Sequence, residues 1–194
     1  MSASTWPPER PGTGVPYRSS AGAQVDAAVL VPLLVAGEPA EPHLVLTRRR
    51  SDLRRHAGEI SFPGGRRDAD DRSLQDTALR EAEEEIGLPR EGVTLIGELP
   101  AVSTFVTNYL IHPFLATVPA GVAWRLSPTE VDEVLELPLA ALRAGRTRTR
   151  LERRGISFET DAYVVEEHLI WGATARIIEL LLARLDEDGA PTAA

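Results

Sequence analysis

The stretch "RHAGEISFPGGRRDADDRSLQDTALREAEEEIGL", residues 55–88, carries the strongest structural signals of the chain. The segment GEISFPGG predicts a short strand that ends at a Pro-Gly-Gly turn, and residues 73–86 predict a helix. Ser73 followed by Asp76 resembles a capping box at the start of this helix. Gly87 lies where a C-capping glycine is expected. The stretch therefore predicts a strand, a glycine turn and a capped helix in close succession.

The predicted helix separates an apolar face from an acidic one, because residues three and four apart are neighbours on a helix surface. Glu81 then lies beside both Glu84 and Glu85, Arg80 lies beside Glu84, and Glu83 points elsewhere. The apolar face, which we expect in the core, consists of Leu74, Ala78, Leu79, Ala82 and Ile86.

Three carboxylates on one patch, those of Glu81, Glu84 and Glu85, repel each other unless a cation offsets their charge. Oxygen ligands at this density suit Mg²⁺, Mn²⁺ or Ca²⁺. Arg80 is placed to neutralise part of the patch and to hold one carboxylate in a fixed rotamer. The alternative is a solvated acidic face, with the two glycines forming no more than a tight turn. The glycines favour the first interpretation because they let the backbone approach a metal or a phosphate closely.

The composition predicts one domain with irregular ends. The chain has 194 residues, 43% of them hydrophobic, and a net charge of −8. We expect an irregular or disordered leader over residues 1–24, a domain over 25–185 and a flexible tail over 186–194. The acidic balance argues against a nucleic-acid partner or a membrane surface. There is no cysteine, and no run reaches the roughly 20 apolar residues of a membrane span. A cytoplasmic location is the expectation, with the oligomeric state, monomer or homodimer, left open.

The remaining segments predict an α/β fold with short connections. Four apolar runs, AAVLVPLLVAG, HLVLTRR, VTLIGEL and IHPFLATV, predict strands. PTEVDEVLELPLAAL, residues 128–142, suggests a short loop or helix, and HLIWGATARIIELLLARL, residues 168–185, predicts a final amphipathic helix.

The helix and its flanks resemble the Nudix box, the signature of the Nudix hydrolases. The resemblance rests on the run from Arg80 to Leu88, which reads REAEEEIGL, and on Gly65 as the opening glycine. One departure concerns the first acidic position, which is Asp71 instead of a glutamate. Eight residues separate Asp71 from Arg80, one more than in the family's pattern.

The chain also resembles the coenzyme A pyrophosphatase branch of this family, which shares the longer spacing and the aspartate. The upstream segment LTRRRSDLRRHAGEISFPGG is similar to that branch's signature, although Arg50 stands where a small residue is usual. Later segments, including VSTFVTNYLIHPFLA and HLIWGATARII, are similar as well. The resemblance covers roughly residues 27–185.

The resemblance implies an α/β/α sandwich around a mixed sheet and a hydrolase that requires Mg²⁺ or Mn²⁺. It implies Glu81, Glu84, Glu85 and the Gly65 carbonyl as metal ligands, with Glu84, Glu85 and Arg80 in the catalytic set. The implied reaction converts coenzyme A and water to 4′-phosphopantetheine and adenosine 3′,5′-bisphosphate. Cleavage of ADP-ribose, NADH or a nucleoside triphosphate is the alternative, and a non-catalytic metabolite-binding module is another.

Candidate substrate-binding residues are Arg48, Arg54, His56, Gly64 and Gly65. Arginines suit an anionic diphosphate because the guanidinium binds phosphate oxygens in pairs. The alternative is that the arginines are solvated charges at strand edges and that His56 has a structural role.

Overall fold

The computed structural model describes residues 24–35, 41–52, 58–104, 108–153 and 155–187. Two sheets and three helices make up this part of the chain. The larger sheet contains β1 (Val25–Val35), β2 (His43–Arg49), β3 (Ile60–Ser61), β4 (Gly64–Arg66), β5 (Thr94–Glu98), β6 (Val102–Ser103), β7 (Tyr109–Pro119) and β8 (Val131–Pro138). The smaller sheet contains β9 (Arg146–Arg153), β10 (Ile156–Val165) and β11 (His168–Trp171). The helices are α1 (Leu74–Ile86), α2 (Leu139–Ala144) and α3 (Gly172–Glu187).

The larger sheet is mixed. Its main order is β3-β2-β1-β7-β5, and β4, β6 and β8 pair with β1, β7 and β2 respectively. Strands β1 and β7 run parallel along their whole lengths, from Val25 opposite Tyr109 to Val35 opposite Pro119. The other pairs are antiparallel. Strand β4 is therefore held directly against the central strand β1.

Both faces of the larger sheet are buried, and each has its own apolar core. Successive residues of a strand point to opposite faces, so Leu30 packs on the α1 side and Val31 packs on the α3 side. Helix α1 contributes Ala78, Ala82 and Ile86 to the first core, and helix α3 contributes Ile177, Ile178 and Leu181 to the second. The predicted α/β/α sandwich around a mixed sheet is confirmed.

Helix α1 begins and ends at the predicted residues. The Ser73 side chain accepts a hydrogen bond from the Asp76 N–H at 3.1 Å. At the other end Gly87 has a φ of 66° and donates its N–H to the Glu83 carbonyl at 3.0 Å. Glycine adopts this left-handed conformation without the steric cost that other residues incur. These caps fix the two ends of the helix, and the packing of Ala78, Ala82 and Ile86 in the core fixes the direction of its acidic face.

The prediction for residues 128–142 was wrong in its first half, since Val131–Pro138 is strand β8 and only Leu139–Ala144 is helical. Leu135 and Leu137 are buried while Glu136 between them is exposed, which is the alternation of a half-buried strand. Antiparallel pairing with β2 stabilises this strand.

The prediction of one helix over residues 168–185 was also wrong at its start. His168–Trp171 forms β11, which pairs with β10, and helix α3 begins only at Gly172. The predicted short strand before the Pro-Gly-Gly segment is β3, which ends at Ser61, and the two glycines begin a further strand, β4. Helix α3 continues through Glu187.

No helix in the described ranges is long and apolar enough to cross a membrane.

Candidate functional site

Glu85 lies at the bottom of the candidate site, where α1 packs against β4. It is only 3% exposed. Its Oε2 accepts a hydrogen bond from the Gly64 N–H at 3.2 Å, and its Oε1 lies 3.5 Å from Nη1 of Arg49. The glycine turn and strand β2 therefore meet on one carboxylate of the helix.

The surroundings of Glu85 raise the pKa of its carboxyl to about 8. Burial is the main cause, because a charged carboxylate loses its hydration there. The Gly64 N–H and Arg49 act in the opposite direction, whereas the negative charges of Glu81 and Glu130 raise the pKa further. Without a bound cation, this carboxyl holds a proton at neutral pH.

Glu81 packs directly on Gly65. A Cβ atom at Gly65 would lie 2.5 Å from Oε1 of Glu81, which is closer than such atoms approach in proteins. A larger residue here would displace the Glu81 carboxylate from the position in which Arg80 holds it. Burial raises the pKa of the Glu81 carboxyl, and Arg80 opposes that shift. Glu81 and Gly65 therefore form one wall of the site.

Gly64 allows β4 to approach β1. Its φ is 154°, and a Cβ atom here would lie 2.4 Å from the carbonyl oxygen of Ala28. This close approach of two strands directs the Gly64 N–H toward Glu85. The two neighbouring glycines thus have different roles, one toward the sheet and one toward the helix.

Arg80 is the central cation of the site. Its Nε and Nη2 donate to the two carboxylate oxygens of Asp71 at 2.8 and 3.0 Å. The same guanidinium donates to Oε1 of Glu81 and to Oε2 of Glu84, both at 3.0 Å. Its partners raise the pKa of Arg80 further above its usual range, with Asp71 contributing most. Arg80 therefore holds two of the predicted metal ligands in place.

Asp71 holds Arg80 in place and is itself buried, with only 6% of the residue exposed. Besides Arg80, it accepts hydrogen bonds from the Thr77 hydroxyl at 2.8 Å and the Asp68 N–H at 2.9 Å. These donors hold the pKa of Asp71 well below its usual range, and Arg80 is the largest cause. The departure from the Nudix pattern at this position thus coincides with a carboxylate that positions the arginine.

The predicted metal ligands share one patch but differ in exposure. Glu85 is buried, Glu81 is partly buried, and Glu84 is exposed, with 59% of its side chain accessible. Arg80 contacts both Glu81 and Glu84, and Arg49 contacts Glu85, so two arginines hold the three carboxylates. Their donor set is composed of oxygen atoms, which fits a hard divalent cation. Glu83 points away from the patch, as expected, and pairs with Arg90 at 3.4 Å.

A second group of potential ligands lies away from this patch. It consists of Glu166, Glu167 and His168, whose potential ligand atoms all lie within 4.8 Å of one another. Among the described residues, no other three potential ligands come this close together. These residues form the turn between β10 and β11 and the first position of β11. Nδ1 of His168 accepts a hydrogen bond from Nη2 of Arg48 at 2.5 Å.

Arg48 is one of the predicted substrate-binding arginines. It lies on the face of β2 that points away from Glu85. It pairs with Glu133 at 3.4 Å in addition to His168. The next residue, Arg49, lies beside Glu85 and was missed by the sequence analysis. Period-two alternation was the available signal, since Val45 of the same strand belongs to the core on the α1 side. Arg54 and His56 lie outside the described residues.

Glu130 was also missed. It precedes β8 and is exposed, and its charge raises the pKa of both Glu81 and Glu85. No sequence signal separated Glu130 from the other acidic residues of the chain, because long-range contacts bring it here. These are the pairing of β8 with β2 and the hydrogen bond from the Ser127 N–H to the Glu85 carbonyl.

Solved structures with similar folds include a Nudix hydrolase from M. smegmatis, RenU, with a TM-score of 0.58 and 15% identity over 88% of this chain and 90% of that one. The Nudix domain of Shewanella oneidensis NrtR, solved in complex with ADP ribose, has a TM-score of 0.55 and 18% identity. The matched region covers 84% of this chain and 90% of the NrtR domain's chain. At these identities the similarity establishes the fold alone.

Sequence comparison defines the family. The NUDIX domain model matches residues 25–157. An uncharacterized Nudix hydrolase, NudL, from Salmonella paratyphi B is 41% identical over 164 residues, which cover 84% of this chain and 83% of that protein. The same relative in Salmonella newport matches equally well. The chain therefore belongs to the Nudix family of hydrolases, which cleave the pyrophosphate bonds of nucleoside diphosphate derivatives with the help of divalent metal ions.

Proposed function

We propose that this Nudix hydrolase cleaves the diphosphate of coenzyme A or its derivatives. The products are 4′-phosphopantetheine and adenosine 3′,5′-bisphosphate. One observation carries the proposal: the segment that resembles the coenzyme A branch is the one that contacts Glu85. Arg49, near its start, approaches Glu85 at 3.5 Å, and Gly64, near its end, donates to the same carboxylate at 3.2 Å.

The chemistry requires stabilisation of negative charge on the phosphoryl oxygens while water attacks phosphorus. Mg²⁺ or Mn²⁺, when bound, would offset that charge and activate the water. The residues proposed to hold the cation are Glu81, Glu84, Glu85 and the Gly65 carbonyl. Their oxygen-rich donor set suits these hard ions.

The protein's own groups have separate tasks in this proposal. Arg80 fixes the rotamers of Glu81 and Glu84, and Asp71 fixes Arg80. Arg49 stands at the bottom of the site as a cation suited to a phosphate oxygen. A bound cation would act with Arg49 to hold Glu85 in its charged form, in which it is suited to orient the attacking water or accept its proton.

The substrate is a small nucleotide derivative, and the expected location is the cytoplasm. The acidic patch and the net charge of −8 give no support to a nucleic-acid partner.

A substrate panel tests the proposed specificity. The purified protein is assayed with coenzyme A, ADP-ribose, NADH and a nucleoside triphosphate under one metal condition, and kcat/KM is compared. We expect coenzyme A to give the highest value, by about tenfold or more, which corresponds to roughly 1.4 kcal/mol of transition-state binding. A higher kcat/KM for ADP-ribose, NADH or the triphosphate would overturn the coenzyme A assignment and leave the Nudix chemistry intact.

A further inference from the structure

A cavity of about 330 Å³ opens between the smaller sheet and the segment that precedes β3. Leu151, Phe158, Leu169 and Trp171 form its apolar lining, and Gly58, Glu59 and Glu152 complete it. The rings of Phe158 and Trp171 are tilted by 50°, with centroids 6.2 Å apart. We infer that this cavity binds the pantetheine arm of the substrate, an inference that rests on the proposed coenzyme A hydrolysis and deepens it.

The cavity is joined to the catalytic patch through one residue, Arg49. The Gly58 N–H donates to the Arg49 carbonyl at 3.1 Å, and the Arg49 N–H donates to the Glu59 carbonyl at 3.0 Å. The side chain of the same arginine approaches Glu85 at 3.5 Å. The edge of the cavity therefore lies about one arginine side chain away from the buried glutamate. A ligand whose diphosphate occupies the patch reaches the cavity with a flexible extension.

The smaller sheet is fixed relative to the patch by a buried contact. The Thr174 hydroxyl, at the start of α3, donates to the Ile60 carbonyl of β3 at 3.0 Å. Strand β11, which carries Leu169 and Trp171, leads directly into this helix. Strand β3 in turn leads to the glycines of the site. This contact and the continuity of the chain link the sheet that lines the cavity to the segment that carries the glycines of the patch.

The chemistry of the lining selects between the two ends of coenzyme A. Two aromatic rings and two leucines offer an apolar surface for a methylene chain. Among the described residues, those that line the cavity include no arginine, lysine or histidine, so the lining offers no cation to a phosphate. The adenosine end carries a 3′-phosphate, whereas the pantetheine end is uncharged and contains amides. The cavity therefore fits the pantetheine end.

Binding of the two reaction products tests the assignment directly. Titration calorimetry measures 4′-phosphopantetheine and adenosine 3′,5′-bisphosphate separately on the full chain and on Trp171→Ala. We expect the Kd of 4′-phosphopantetheine to rise about tenfold, equivalent to roughly 1.4 kcal/mol, with the Kd of the bisphosphate unchanged. Ile156→Ala is the matched control, because Ile156 is an exposed apolar residue of the same sheet and does not line the cavity. It should leave both values unchanged.

A second variant addresses the charge argument without removing a ring. Glu152→Gln should leave the ratio of kcat/KM for coenzyme A and for dephospho-coenzyme A unchanged, because the 3′-phosphate lies elsewhere. A gain for coenzyme A alone would place the 3′-phosphate in the cavity and overturn the inference.

The outcomes separate this inference from the proposed function. Unchanged 4′-phosphopantetheine binding in Trp171→Ala, or no such binding to the unaltered protein, would overturn the cavity assignment even if coenzyme A is cleaved. Failure to cleave coenzyme A, measured independently, would overturn the proposed function.

Discussion

Arg80 and Asp71 form a two-point ion pair, with Nε and Nη2 of the arginine at 2.8 and 3.0 Å from the two oxygens of the aspartate. The aspartate is buried, and the arginine uses its remaining N–H groups for Glu81 and Glu84. Bidentate contacts of this kind fix orientation as well as adding energy. The position of the acidic patch thus depends on a residue outside the helix.

Replacement of Asp71 by asparagine should destabilise the fold by about 3 kcal/mol, because loss of one partner leaves a buried ion pair uncompensated. Urea denaturation followed by circular dichroism measures the change. Asp70→Asn is the control, because this substitution removes the same charge from the exposed neighbouring residue. Equal stability of the two variants would contradict the anchoring role of Asp71.

The free energy of unfolding of the metal-free protein should depend on pH through Glu85. The pKa of this carboxyl is about 8 in the folded chain and 4.5 ordinarily. Between these values the folded state binds more protons than the unfolded one, so the carboxyl reduces stability as pH rises. In EDTA, Glu85→Gln should therefore be more stable than the unaltered protein by a few kcal/mol near pH 8. Near pH 4, about the ordinary pKa of a glutamate, the difference should largely disappear. A variant that is less stable at both pH values would refute the role assigned to burial.

Two neighbouring glutamates should respond differently to loss of charge. Glu81→Gln should abolish most of the metal-dependent turnover, because Glu81 is partly buried against Gly65 and is a proposed metal ligand. Glu83→Gln should retain nearly all of it, because Glu83 points away and pairs with Arg90. Initial rates across a range of Mg²⁺ concentrations measure both variants. Comparable losses in the two would show that the helix, and not the patch, governs activity.

Gly65→Ala should impair turnover at least tenfold while the fold survives. The added methyl group would overlap the Glu81 carboxylate, which lies 2.5 Å from the Cβ position, and must displace that side chain. Gly97→Ala in β5 serves as the control, since nothing lies within 4 Å of its Cβ position. Turnover and thermal midpoint are measured for both. Full activity of Gly65→Ala would mean that the position of Glu81 is unimportant.

The parts of the fold with local signals were predicted correctly from the sequence. Helix α1 was defined by its apolar period, by Ser73 and by Gly87, all of which act within a few residues. The acidic patch followed from the same periodicity. Strand β8 was missed because its pairing partner, β2, lies far away in the sequence. Strand β11 was missed because the sequence pattern did not indicate the hairpin that it forms with β10.

The site required the tertiary structure for a similar reason. Asp71 was recognised only as an irregular position, and its contact with Arg80 depends on how the loop folds back onto the helix. Arg49 was overlooked in favour of Arg48, although the two residues face opposite sides of β2. Glu130 comes near the patch through the pairing of β8 with β2 and through the contact of Ser127 with the end of α1. Contacts between distant segments are not encoded in local periodicity.

Product identification by mass spectrometry tests the central claim most directly. The purified protein is incubated with coenzyme A and excess Mg²⁺, with and without EDTA, and Glu81→Gln is treated in the same way. We predict 4′-phosphopantetheine and adenosine 3′,5′-bisphosphate in equal amounts, formed only with free Mg²⁺ and with most of the yield lost in Glu81→Gln. Intact coenzyme A in every sample, or cleavage that EDTA and Glu81→Gln leave unaffected, would contradict a coenzyme A pyrophosphatase built on this acidic patch.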